Sequence, residues 1–315
     1  MKNKILPISH IYINEDMINQ RIDNFLIKKY KNIPKSVIYR IIRTGQVRIN
    51  KRRIKQYYKL NIGDKLRIPP ILIEKQKQNF INKNSFPDLS KNIIYEDNYL
   101  LIINKPSGIA VHGGSGLNFG VIEYFRYIRP LNGFLELVHR IDRDTSGILI
   151  LSKKRISLCH LHKQFREKKI KKEYIALVHG KWPLDIKKIS APLLKIQSIN
   201  HPKKVVIHKN GKYSETYFNI KRRYCATTLM HIIPKTGRTH QIRAHALHAG
   251  HPIVFDNRYG KNNLDINIKK ITNINRLLLH SFKMFFIHPS DGKKMHIIAP
   301  LDAQFEKFLN ILPEF

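Results

Sequence analysis

The chain has 315 residues, 42% of them hydrophobic, which is enough for one large domain or two ordinary ones with a packed core and excludes a disordered protein. No run reaches the roughly 18 apolar residues of a membrane span, and the opening MKNKILPISHIYINED is too interrupted to read as a signal peptide. The two cysteines, Cys159 and Cys225, form no C-x-x-C pair, so no zinc or disulfide framework is expected and the compartment reads as cytoplasmic.

The formal net charge is +36, of which +13 falls in residues 1–70, about twice the density of the remainder. Lys, Asn and Ile are abundant together, as AT-rich coding would also produce, but coding drift does not concentrate charge at one end. A polyanionic partner, RNA or DNA, is the expectation.

In chain order, residues 20–30 place Ile22, Phe25, Leu26 and Tyr30 on one helical stripe. A second helix is predicted over 35–44, with Val37, Ile38, Ile41 and Ile42 inward, Pro34 at its start and Gly45 past its end. Short strands follow at 46–50 and, after the Gly63-Asp64 turn, at 65–68, completing a small basic module near Pro69-Pro70. The polar stretch 74–90 reads as a linker. From 92 to 313 the pattern is that of one mixed α+β domain. Its strands are expected at 99–103, 148–151, 174–178, 227–233 and 277–279, with a hairpin of 284–287 and 295–298 about a Pro-Ser-Asp-Gly turn. Helices are expected at 121–128, 157–167 and 240–249. Strands and helices do not alternate as a doubly wound parallel sheet requires.

The segment most suggestive of chemistry is HRIDRDTSG, 139–147, feeding the apolar run ILIL. It puts a carboxylate beside arginine on a loop at the entrance to a buried strand. A guanidinium keeps such a carboxylate ionised and aimed, which suits a nucleophile. A structural Asp–Arg bridge at a strand entrance would leave the same pattern. His240, His245, His248 and His251 crowd together, but no accompanying spacing matches a metal motif, and no metal is expected. Gly113-Gly114 lacks the G-K-[ST] that a phosphate cradle would need. A non-catalytic RNA binder, or a hydrolase using His240 and His245, remains open on these patterns alone.

H-R-x-D-x-x-T-S-G resembles the signature of the RluA-type pseudouridine synthases. The resemblance makes Asp142 the catalytic aspartate and leaves Asp144 a solvated loop carboxylate. Ile141 stands where Leu is commoner. INKPSGIAVHGG, 103–114, resembles the family's first motif, in which Lys105 and Pro106 brace the active-site loop. KKEYIALVHG, 171–180, resembles the motif supplying an active-site tyrosine, here Tyr174. TGRTHQIRAH, 236–245, resembles the third motif, whose arginine, Arg243, pairs with the aspartate; Arg238 is a second candidate for that pairing and otherwise an RNA contact. Arg140 resembles the residue that fills the space left by a flipped nucleotide.

RIDNFL, PKSVIYRIIRTGQVRINKRRI and GDKLRIP are similar to the S4 RNA-binding fold, with Arg40, Arg43, Arg48, Lys51, Arg52 and Arg53 as phosphate-contacting candidates. The resemblance runs from about residue 18 to 313. It implies an S4-like domain over 18–72, a linker over 73–90, and a mainly antiparallel pseudouridine synthase domain over 91–313. The implied activity is isomerisation of uridine in large-subunit ribosomal RNA, free or in early assembly, by a monomer needing no cofactor.

Overall fold

The computed structural model describes residues 3–30, 33–74, 86–114, 119–130, 133–196, 204–260 and 262–311. It divides into two units, Met1–Phe86 with Lys154–Ile156, and Pro87–Lys153 with Ser157–Phe315. The expected linker falls largely on 75–85, outside the described residues. No helix among the described residues is long and apolar enough to cross a membrane.

The first unit runs through β1 (Asn3–Leu6), β2 (Ser9–Tyr12), α1 (Ile22–Lys29), α2 (Lys35–Arg43), β3 (Arg48–Ile49), β4 (Arg52–Arg53), β5 (Lys65–Ile68) and β6 (Ile71–Glu74). β2-β5-β3-β4 form one sheet, and β1 pairs with β6 in another. Pro34 caps α2 at φ −56°, a dihedral its ring already imposes. Ile38, Ile41 and Ile42 then fall on the buried side, against Leu26, Val47 and Leu66, while Arg40 and Arg43 are exposed. The expected strand at 46–50 is shorter, because Asn50 and Lys51 (φ 49° and 66°) turn the chain tightly into β4. That is the two-residue hairpin in which left-handed dihedrals match the strand twist. Buried Asp64 pins it, accepting from Asn50 Nδ2, Tyr58 OH and the Asn61 amide at 2.9–3.0 Å.

The second unit contains β7 (Ile93–Glu96), β8 (Leu100–Lys105), α3 (Val121–Ile128), β9 (Glu136–Leu137), β10 (Ser146–Ser152), all but the first two residues of α4 (Arg155–Arg166), β11 (Lys171–His179) and β12 (Lys188–Ser190). It continues with β13 (Leu193–Ile196), β14 (Lys204–Ile207), β15 (Glu215–Arg223), β16 (Thr227–Pro234), α5 (Gln241–His248), α6 (Asn262–Thr272), β17 (Leu279–Ile287), β18 (Lys294–Ile298) and α7 (Ala303–Ile311). A ten-stranded sheet has the order β12-β15-β16-β11-β17-β10-β8-β7, with β9 added on β10 and β18 on β17. Its pairs are antiparallel except one among the described residues: β10 and β17 run parallel through Ser146–His280 and Gly147–Ser281.

Strand alternation loads both faces of this sheet. Ala176 and Val178 of β11 join Met230, Ile232, Ile242 and Ala246 under α5, whereas Ile175 and Leu177 join Ile268, Phe305 and Phe308 under α6 and α7. Ile148, Leu149, Ile150 and Leu151 are all wholly buried, each contributing roughly 1.5–3 kcal/mol of burial, so the strand leaving the HRIDRDTSG loop is firmly held.

At the parallel seam Gly147 has φ +105°, and a Cβ there would lie 2.2 Å from the Ser281 carbonyl oxygen, so only glycine lets the strands meet. Ser146 Oγ pairs with His280 Nδ1 at 2.8 Å, and His280 Nε2 with the Ala299 carbonyl at 3.1 Å. The seam corrects one expectation. Of the predicted strand 277–279 only Leu279 is in a strand, and it is continuous with 284–287 in a single β17, because the polar His280 and Ser281 that interrupt the hydrophobic pattern are themselves buried at the junction.

Candidate active site

The loop from His139 to Thr145 enters β10, and its shape is fixed from behind. Lys105, at the end of the neighbouring β8, is wholly buried and donates from Nζ to the carbonyls of Pro106, Ile109 and Arg143 at 2.7–2.9 Å. Three acceptors use all three ammonium N–H groups, while burial works against the charge and pushes the lysine down to about 7. Ser107 Oγ donates to the Asp144 carbonyl, and the Thr145 amide turns back to the Asp142 carbonyl at 3.2 Å. Lys105 and Ser107 therefore hold the loop, through the Arg143 and Asp144 carbonyls.

Asp142 projects from it, its side chain 23% exposed, and Oδ2 accepts from Arg243 Nη1 at 3.2 Å. Arg243 lies on the first turn of α5 and is itself clamped. Nε and Nη2 donate to Asp256 Oδ2 and Oδ1, both at 2.7 Å, and the Asp256 side chain has no exposed surface. Asp256 also accepts the amides of Arg258 and Tyr259 at 3.0 Å. Burial opposes the charge on Arg243, but the hydrogen-bonded Asp256, with Asp142 beyond it, outweighs burial and holds the guanidinium above its ordinary value. Burial would likewise lift the Asp256 carboxyl, and the guanidinium with the two amides brings it below its usual range. A planar fork satisfied on one edge by a buried carboxylate leaves its third nitrogen, Nη1, in a fixed direction, toward Asp142.

His240 caps α5 in the left-handed region (φ 50°), with Nε2 3.8 Å from Asp142 Oδ1 and Nδ1 2.9 Å from Tyr259 OH. Burial lowers this imidazole, against the opposing pull of Asp142. Tyr174, on β11, completes the wall, and burial pushes its phenol up to about 12, so the ring stays uncharged. Together Asp142, Tyr174, His240, Arg243, Arg140 and Arg238 line a cavity of about 330 Å³, with His139, Phe165 and Lys172 at its side. That is the lower end of the size range for small-ligand pockets.

The sequence-predicted residues therefore divide clearly. Asp142, Arg140, Tyr174, Arg238 and Arg243 share one pocket. Arg243 meets the aspartate; the alternative, Arg238, is exposed and donates from Nε to the Tyr213 carbonyl at 3.1 Å. Asp144 is bound at its side chain by exposed Arg143. The Gly113 amide donates to Glu123 Oε2 at 3.0 Å, a carboxylate standing where a phosphate cradle would need an anion from outside. The neighbouring histidines have structural partners: His245 contacts Thr216 and Ser214 hydroxyls, and His251 the His179 carbonyl. Among the described residues no group of three or more His, Cys, Asp or Glu is placed to hold a metal.

In the first unit Arg40, Arg43, Arg48, Lys51, Arg52 and Arg53 are all exposed, and none has a carboxylate partner among the described residues. Asp256 and Lys172 were not foreseen. Asp256 sits in the polar turn FDNRYG, which reads like any surface loop, and Lys172 sits in a charged pair where only strand alternation marks it as inward.

A model of the family RNA pseudouridylate synthase matches residues 99–248, and one of the S4 domain matches 20–66. The chain is 67% identical over 313 residues to ribosomal large subunit pseudouridine synthase C of Buchnera aphidicola subsp. Schizaphis graminum, covering 99% of this chain and 100% of that protein. It is 50% identical over 309 residues to the protein of the same name from Haemophilus influenzae, covering 98% and 96%. The solved structure of human RNA pseudouridylate synthase domain containing 4 shares the fold, with a TM-score of 0.58 at 21% identity over 71% of this chain and 93% of that one.

Proposed function

The chain belongs to the RNA pseudouridylate synthase family, and on that premise we propose that it isomerises uridines of large-subunit ribosomal RNA to pseudouridine with Asp142 as the catalytic carboxylate. The observation that carries this reading is the buried Asp256–Arg243 fork delivering one N–H to Asp142 inside a pocket walled by Tyr174.

A duplex or stacked uridine cannot reach such a pocket, so the nucleotide is extruded at a cost of a few kcal/mol, with Arg140 occupying the space it leaves. The uncharged Tyr174 ring packs on the uracil. Asp142 then begins the reaction by one of three routes open to a carboxylate there: attack on C1′, addition at C6, or removal of a sugar proton. In each the C1′–N1 bond breaks, the base turns in place, and C1′ bonds to C5. N1 gains a proton and C5 releases one to solvent. Every atom of the nucleotide is retained and nothing is oxidised or reduced, so the conversion needs no redox cofactor.

The six exposed cations of the first unit supply phosphate contacts that recognise backbone and shape. The partner is ribosomal RNA free or in early assembly, met by a monomer. Residues 18–72 serve docking and 91–313 the chemistry.

The test is tritium release from RNA labelled at uridine C5. The wild-type chain releases label without shortening the RNA, and Asp142→Asn binds that RNA yet releases none. Turnover near wild type in that variant overturns the assignment.

A further inference from the structure

Lys172 occupies the pocket wall beside Gly237, close enough that a Cβ on that glycine would lie 3.5 Å from Lys172 Nζ. Strand alternation sends its neighbour Glu173 to the other face, where it pairs with His231 at 2.9 Å. Among the described residues Lys172 has neither an ion pair nor a hydrogen bond, and burial alone acts on its ammonium, lowering it. The one carboxylate lining the pocket, Asp142, is already engaged by Arg243. A largely enclosed cation without an anion is costly, and such a group is retained where a ligand brings the missing charge.

We propose that Lys172 is a phosphate anchor, binding a backbone phosphate that adjoins the extruded uridine. The inference rests on the function proposed above and adds a binding residue to it. Lys172 and Tyr174 lie two residues apart on one face of β11, about 6.6 Å along the strand, the scale that separates a nucleotide's base from its own phosphate. With the base on the Tyr174 ring, the phosphate reaches Lys172. Gly237 has no side chain to block that approach, and exposed Arg238 on the same wall extends a positive track outward. An ammonium on a flexible stem is a point charge, suited to a single phosphate oxygen.

The experiment uses the full chain and a ribosomal RNA fragment in which the wild-type protein's own product has first been mapped. Failure at that stage refutes the family-based function, and so is told apart from failure of the lysine's role. Binding is then measured on the ordinary fragment and on one with neutral methylphosphonate linkages flanking the mapped uridine. The wild type is expected to bind the neutral-linkage RNA about tenfold more weakly, and K172Q to bind the ordinary RNA more weakly by about the same factor. On the neutral-linkage RNA the two proteins should be equal, and K172R should restore most of the affinity on the ordinary one. A wild type indifferent to the methylphosphonate overturns the proposal even if K172Q fails to fold. So does a K172Q that loses affinity equally on both RNAs, or one that binds normally and isomerises slowly, which would assign the lysine to charge developing on the detached base.

Discussion

Asp256 does not line the pocket that holds Asp142, yet the proposed activity should depend on it. In Asp256→Asn the side-chain volume and the capacity to accept the Arg258 and Tyr259 amides are retained, but the charge is lost and an NH2 group faces one of the two guanidinium N–H donors. Breaking one partner of a buried pair costs about 3–5 kcal/mol, because the other charge stays buried without its counter-charge. The Arg243 side chain is only 5% exposed, so water cannot substitute for the carboxylate. Urea unfolding should register that loss, which a domain of ordinary stability survives at 25 °C. Arg243 is then left with Asp142 as its acid partner and no fork to set its angle. Losing the aim of a transition-state contact costs about 2.7–4 kcal/mol, or roughly a hundredfold or more in single-turnover pseudouridine formation. RNA affinity, assigned here to other cations, should stay within about threefold. A stable, fully active Asp256→Asn would refute the idea that the clamp aims the catalytic carboxylate.

Three other perturbations have definite expected outcomes. Gly147→Ala should lose about 3 kcal/mol or more, seen as a lowered melting midpoint, since its Cβ meets the Ser281 backbone at 2.2 Å in a left-handed conformation; a melting point within error of wild type would contradict the seam geometry. His280 is pushed down from 6.5 to about 4 by burial, so on acidification the unfolded chain takes up the proton first and stability present above pH 6.5 is lost as pH falls toward 4. Between pH 7 and pH 5 this amounts to about 2 kcal/mol, and His280→Gln should show a correspondingly smaller pH dependence in urea titrations; an identical dependence would rule the histidine out. Neutralising Arg52 and Arg53 to Gln should reduce the log–log salt slope of RNA binding by about 0.7–0.9 for each phosphate no longer neutralised, and an unchanged slope would mark both as idle surface charge.

What could be read from the sequence was whatever a short segment decides by itself. α2 declares its ends through Pro34 and its buried face through the spacing of Ile38, Ile41 and Ile42. Asp142, Tyr174 and Arg243 sit in segments dense enough in pattern to stand out, and they converge. The remainder depends on partners remote in the chain. Whether Arg238 or Arg243 meets Asp142 is settled by the first turn of α5, which buries one and leaves the other in solvent. β17 looks like two strands because buried polar side chains at a junction mimic a loop. Short strands such as β12, β13 and β14 have too few residues to establish alternation, and α6 and α7 lie outside the motifs. Lys171 and Lys172 are adjacent and chemically identical; only the pleat, invisible in composition, sends one outward and one into the pocket.

The order in which the sheet is assembled bears on when the molecule becomes an enzyme. β17 lies between β10 and β11, but it begins only at Leu279. Asp142 and Arg243 are 101 positions apart, and Ser146 and His280 are 134 apart. Contacts of such long sequence separation form slowly, after most loop-closure entropy has been lost. A nascent chain emerging N-terminal end first exposes its basic module and the HRIDRDTSG loop well before the strand that fills the gap beside Tyr174 has been synthesised. On the proposed division of labour, the docking module is made before the sheet that carries the chemistry can close, and isomerisation should begin only after β17 has been synthesised.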